Sequence, residues 1–252
     1  MRSVLAILIL WLTTNTFAQS QDTTNHKVRY LSLSGGTGHV SLNNLTLTPL
    51  VYRGSGFVWD LQISNHSVKR KHDINLNYST STLFAKLNDN GGNPLDNKAL
   101  FFSYEYQRNL KAGSFNWYLG GGFDYFNSER ILSIVNRSSS SRNEFFSVRL
   151  VTSVHKTFKQ KHRVEWNFSY TIGSVIIGLT NIPNGLEEGS HKFFSGIETI
   201  GLTSTLNYKF KLSDRLLLDA TYRFRYYRNT DIEEFDYGTS QYLAGISYQF
   251  SK

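Results

Sequence analysis

The chain is 252 residues long with 27 Lys and Arg against 19 Asp and Glu, a formal net charge of +8 and a pI of about 9.5. It has no cysteine, so disulfide frameworks and thiolate metal sites are excluded. Aromatic residues are abundant (15 Tyr, 18 Phe, 4 Trp) while mean hydropathy is −0.34, which excludes a bundle of membrane-spanning helices. Basic residues collect in connectors such as Lys69-Arg70-Lys71-His72, Lys111 and Lys159-Gln160-Lys161-His162. That scatter does not make a groove for nucleic acid.

Met1-Arg2 is followed by an apolar stretch from Val4 to Leu12 and by Thr16-Phe17-Ala18 before Gln19. A basic start, a brief apolar core and small residues at the third-last and last positions before a cut predict a signal peptide over 1–18. Residues 19–252 are then expected to form one β domain, because no linker or composition shift divides them.

Ten strands are expected in chain order. The first three lie near 27–36, 51–66 and 72–85, with glycines interrupting the first two, and a fourth lies near 98–109. Over 115–126, Phe115, Trp117, Leu119, Phe123 and Tyr125 alternate with Asn116, Tyr118, Asp124 and Phe126. A sixth strand is expected near 143–157. At 164–173, Val164, Trp166, Phe168 and Tyr170 oppose Glu165, Asn167 and Ser169. After an eighth near 195–210, Leu216, Leu218, Tyr222, Phe224 and Tyr226 oppose Asp219, Arg223, Arg225 and Tyr227. The last repeats the pattern with Tyr242, Ile246, Tyr248 and Phe250. A period of two puts one set of side chains on each face of a strand. Several strands exceed the 9 to 11 residues or so that a tilted strand needs to cross hydrocarbon.

Short connectors near 67–71, 110–114, 158–161 and 211–214 alternate with longer ones near 37–50, 86–97, 128–142, 178–194 and 229–238. The Ser138 to Ser141 run is expected in a solvent-facing loop. Short periplasmic turns, long external loops and an even strand count define a transmembrane antiparallel up-and-down β-barrel, here of about ten strands, with 8 to 12 compatible. Both termini then lie in the periplasm. The competing architecture is a secreted soluble barrel or sandwich with its apolar face inward.

From these strands, and from the ending Ser247-Tyr248-Gln249-Phe250-Ser251-Lys252, the chain resembles the outer-membrane β-barrel superfamily of Gram-negative bacteria. The Ala18-Gln19 junction and the Tyr-Gln-Phe ending are similar to small barrels of Bacteroidota-type bacteria. The resemblance implies recognition of the last strand by barrel-assembly machinery, with the difference that two residues follow the terminal aromatic.

If the aromatic faces meet lipid, Trp117, Phe123, Trp166, Phe168, Tyr222, Phe224, Tyr226, Tyr248 and Phe250 are membrane-facing. Asp60, Glu105, Asp124, Arg149, Glu165, Asp219, Arg223 and Arg225 then line the lumen, where charges must pair or meet water. Ten strands leave a lumen little wider than one that side chains fill. A wide porin is excluded; a plugged scaffold, an envelope-complex subunit or a narrow porin-like solute channel remain. Outer-membrane lipid, lipopolysaccharide and an envelope protein are the expected partners, with no cofactor and no metal.

The seven histidines match no metal-ligand spacing. His66, His72, His155 and His162 fall beside short turns, as interfacial or solvated side chains. A barrel enzyme acting on lipid or peptide at the outer rim would draw on His39 and His191, expected in outer loops, with His39-Val40-Ser41 as a His-Ser neighbourhood. No nucleophile, base and orienting acid assemble, so no catalytic residue is assigned. Glu187, Glu188, Asp231, Glu233, Glu234 and Asp236 form an acidic grouping in outer loops. Gly120-Gly121-Gly122 lies inside a strand and predicts close strand approach.

Overall fold

The computed structural model describes residues 28–44, 48–67, 69–85, 94–111, 115–134, 137–181, 187–195, 199–229 and 235–250. The predicted signal peptide and the last two residues lie outside them.

Eleven β elements follow one another: β1 (Val28–Asn44), β2 (Thr48–His66), β3 (Arg70–Ala85), β4 (Leu95–Lys111), β5 (Asn116–Ile134), β6 (Arg137–Phe158), β7 (His162–Asn181), β8 (Glu187–Ser195), β9 (Thr199–Lys211), β10 (Leu216–Asn229) and β11 (Phe235–Gln249). Consecutive strands pair antiparallel except β8 and β9, which both pair with β7, and β1 pairs with β11, so the sheet closes on itself. β8 and β9 together make one crossing. β8 pairs with β7 from Gly173 to Asn181 and β9 pairs with β7 from His162 to Tyr170. The result is a closed up-and-down barrel of ten crossings, in which closure satisfies backbone groups that an open edge would leave bare.

Burial alternates along the strands, as in Leu216–Asn229, where every second residue is buried. Leu33, Phe57, Trp117, Leu150, Ile172 and Ile246 point outward, between 50 and 61% exposed in the chain alone. So continuous an apolar band on an outer wall requires an apolar surrounding. The inner faces carry Ser, Thr, Asn and most of the buried charges.

The strands outrun their apolar pattern on one side. Most of 37–50, 128–142 and 178–194, and part of 229–238, all expected as loops, is strand, and so is the Ser138–Ser141 run. Above the apolar band the outward positions turn polar, as at His39, Ser41, Arg53, Ser55, Glu129 and Arg142, while the backbone ladder continues. Hydrophobic alternation marks the apolar band and not the end of pairing, because the ladder bonds are indifferent to side-chain polarity. His39 is therefore in β1, His191 in β8 and Asp236 in β11.

The glycine triplet lies in β5 as an approach of strands. A Cβ on Gly120 would sit 1.9 Å from the Tyr106 carbonyl oxygen and one on Gly122 2.4 Å from that of Tyr104. On the outward Gly121 the nearest atom would be 3.3 Å away.

Candidate functional site: the barrel lumen

Lumen side chains fall into three levels. At the short-turn end, Lys71 on β3 reaches across the lumen to Glu165 on β7 and also holds Asp73 at 2.9 Å. His66 Nε2 is 3.0 Å from the same Asp73, and Arg163 donates to His66 Nδ1 at 2.8 Å and to Glu165 at 2.8 Å. Lys209 lies 3.6 Å from Asp219 and donates to Ser32 and Ser247 at 3.3 and 3.1 Å.

The middle level crosses the barrel again. Arg223 on β10 grips Asp60 on β2, and Asn75 and Asn77 of β3 donate to the same carboxylate at 2.9 and 3.0 Å. Arg225 reaches Asn77 at 2.8 Å, and its guanidinium lies 3.7 Å over the Phe101 ring. Arg149 on β6 pairs with Glu105 at 3.0 Å and with Asp124 at 3.3 Å. Each buried ion thus has partners, without which its desolvation would be strongly unfavourable.

The outer level is apolar. Phe126 stacks on Tyr227 with centroids 4.8 Å apart, and Tyr237, Phe145 and Phe235 complete the cluster. The Tyr227 hydroxyl donates to Asp124 at 3.2 Å, joining this level to the one below. Arg130 caps it, 4.8 Å over the Phe235 ring and bonded to Ser141. Between the lower two levels a cavity of about 50 Å³ remains, lined by Asp73, Glu105, Arg149, Glu165 and Lys209 among others. That is room for a few waters and no larger solute.

The structure thus brings together Asp60 with Arg223 and Arg225, and Glu105 with Asp124 and Arg149, while Glu165 and Asp219 belong to the lower level. Glu105 is the least covered, its side chain 16% exposed. Of the aromatics assigned to the outer wall, Trp117, Phe123, Trp166, Tyr222, Phe224, Tyr248 and Phe250 are exposed, and Phe168 and Tyr226 are half-buried against strand neighbours.

Five interior ions, Lys71, Asp73, Arg130, Arg163 and Lys209, stand outside the set expected from the sequence. Lys71 was assigned to a basic turn, yet it lies in β3, 1% exposed and facing inward with Asp73. Its parity with Asn75 and Asn77 carries that signal. Lys209 shares parity with Asn207, and Arg163 with Glu165. His66 is likewise no solvated turn residue: its side chain is 12% exposed and bonded on both ring nitrogens. His155 stacks on Tyr118 at 5.3 Å and contacts Asn116. His72 and His162 do face outward, bonded to Tyr104 and Tyr208.

On the outer wall His39 Nδ1 lies 2.7 Å from Ser55 Oγ, at the edge of an open cleft. Among the described residues no carboxylate contacts His39, so a base–nucleophile pair lacks its orienting acid. Asp236, expected in an outer loop, instead lies in β11, where it pairs with Arg228 at 3.5 Å and accepts from the Tyr226 hydroxyl at 3.1 Å. The side chains of His191, Glu187, Glu188, Asp231, Glu233 and Glu234 lie outside the described set. Among the described residues no group of three His, Asp or Glu side chains is placed to hold a metal.

No protein-family model matches the sequence, and no curated relative matches it. Solved structures do. The outer membrane protease OmpT from Escherichia coli is similar with a TM-score of 0.61 at 9% identity, over 93% of this chain and 100% of that one. Neisserial surface protein A matches at 0.38 with 13% identity, over 88% and 97% of the two chains. Ail of Yersinia pestis matches at 0.37 with 12% identity, over 88% and 99%. At such identities the likeness is one of fold, not of activity. The chain has the outer-membrane β-barrel fold, closed by ten antiparallel crossings.

Proposed function

We propose that the protein is an integral barrel of a Gram-negative outer membrane that serves as a sealed scaffold or envelope-complex subunit and not as a conduit. The observation that carries this is the Phe126–Tyr227 stack, which lies across the lumen above two levels of cross-lumen ion pairs. A narrow selective channel needs a hydrated path with weak, exchangeable binding along it. Here the ions are engaged with one another, and the residual cavity of about 50 Å³ is bounded by them. On this reading the short turns face the periplasm, as do both termini. The scaffold's recognition surface then lies on the wall or the rims. The test is planar-bilayer recording from the purified barrel, whose insertion is established separately by a heat-dependent mobility shift on denaturing gels. Absence of steady conductance for small ions is expected; discrete open-channel steps would overturn the reading.

A further inference from the structure

The net charge of +8 is not spread over the molecule. On the outward wall at the long-strand end, Arg53, Lys98, Arg142 and Arg228 are matched by Asp96, Glu129, Glu144 and Asp236, two of these pairs in direct contact. At the short-turn end the balance is gone. Lys69 and Arg70 are exposed at the β2–β3 turn, Arg108 on β4, Lys159 and Lys161 at the β6–β7 turn and Arg215 before β10. Among the described residues the one outward acid there is Asp214, which pairs with Lys211 at 3.0 Å. The other carboxylates of that end, Asp73, Glu165 and Asp219, face the lumen and are engaged there.

The cations sit at the level where the apolar wall gives way to polar positions. The Lys156 ammonium lies 4.3 and 4.8 Å over the Phe115 and Phe158 rings. His162 bonds the Tyr208 hydroxyl at 2.7 Å, and Trp117 and Trp166 are exposed on the neighbouring outward positions. Amphipathic aromatics with long cationic stems mark the headgroup boundary of a bilayer.

A second observation is independent of charge counting. Lys159 and Gln160 form the two central residues of the β6–β7 hairpin, with φ of 48° and 58°, closed by the Lys161 amide donating to the Phe158 carbonyl. A turn with positive φ at both positions favours Asn-Gly, and side chains with a Cβ are strained there. A long cationic residue is held where a small one would fold more easily, and such strain points to a use.

We propose that this rim is a binding surface for anionic phospholipid headgroups of the leaflet that surrounds the short turns. The proposal rests on the membrane reading above. The leaflet is favoured over a polyanion such as peptidoglycan because the charges lie at the β2–β3, β6–β7 and β9–β10 turns and on β4, spread around the circumference instead of in one patch. A leaflet meets every turn at once; a docked polymer does not. Clustered Lys and Arg at a bilayer surface attract anionic lipid in a salt-dependent way.

The test refolds the full chain, with Trp11 and Trp59 replaced by Phe, into mixed vesicles carrying brominated phosphatidylglycerol or brominated phosphatidylcholine. Trp117 and Trp166 then report by quenching which lipid lies beside the rim. Roughly threefold or greater preference for phosphatidylglycerol at low salt is expected, falling as salt is raised. It should vanish in the combined Lys69→Gln, Arg70→Gln, Lys159→Gln, Lys161→Gln variant. A second variant, Lys159→Asn with Gln160→Gly, should lower the preference while stabilising the turn, which a merely structural lysine would not do. Equal quenching by the two lipids, or a preference unchanged in the fourfold variant, overturns the proposal. So does competition by isolated peptidoglycan, which would make that polymer the partner. A heat-dependent mobility shift in the same samples shows whether the barrel has inserted, so failure of the membrane reading is seen separately.

Discussion

Arg223 and Asp60, 163 positions apart in the chain, meet across the lumen with Nη1 2.5 Å from Oδ1 and Nη2 3.3 Å from Oδ2. Strands β10 and β2 are not neighbours, so the pair braces the barrel from inside and helps to fill it. Asn75 and Asn77 complete the carboxylate's hydrogen bonding.

Breaking that pair from one side leaves a buried cation. Asp60→Ala should destabilise the barrel by about 3 to 5 kcal/mol, whereas Asp60→Leu combined with Arg223→Met should cost much less. Reversible urea unfolding in vesicles, followed by tryptophan fluorescence, measures both; equal losses would show that the ion pair itself matters little.

The aromatic level is a packed core in miniature. Phe126→Ala removes the ring stacked on Tyr227 and touching Tyr237 and Phe145. The expected loss is about 3 to 5 kcal/mol. The barrel should still not conduct, since Arg223–Asp60 and Lys71–Glu165 close the lumen beneath it. Bilayer recording on this variant therefore separates a sealed lumen from a single-gate channel.

Position relative to the bilayer can be read from charge insertion. Leu33 is 61% exposed midway along the apolar band, paired with Ile246 and Leu61. Leu33→Arg should cost about 2 to 4 kcal/mol and Phe158→Arg, at the short-turn rim, about 0 to 1. Urea midpoints of the two variants check the ordering, and similar effects at both sites would argue against a membrane slab at this level.

Neighbouring glycines should respond in opposite ways. Gly120→Ala would drive a methyl into the Tyr106 carbonyl and is expected to cost about 1 to 3 kcal/mol. Gly121→Ala, facing outward with 3.3 Å to its nearest atom, should change stability by less than about 1 kcal/mol. Thermal unfolding of the single variants in one detergent discriminates them.

Which face of each strand looks inward was legible from residue order, because the pleat of a strand imposes a period of two without reference to any other strand. Glu165, Asp219, Arg223 and Arg225 could be placed together on the polar faces for that reason. Four of the misassignments share one source. Lys71, His39, Asp236 and the Ser138–Ser141 run sit where the apolar alternation stops, and a ladder of backbone bonds does not stop there.

The amino-acid sequence alone determined ten crossings, one apolar and one polar face to each, and where the tight turns fall. All of these follow from local periodicity and turn composition. Tertiary structure decided that the eighth crossing is split into β8 and β9, that Asp60 meets Arg223 and Lys71 meets Glu165, and that, among the described residues, outward cations without matching acids gather at one rim. Those depend on the stagger with which β1 closes on β11, a property of the whole ring that sets which distant side chains share a height in the lumen.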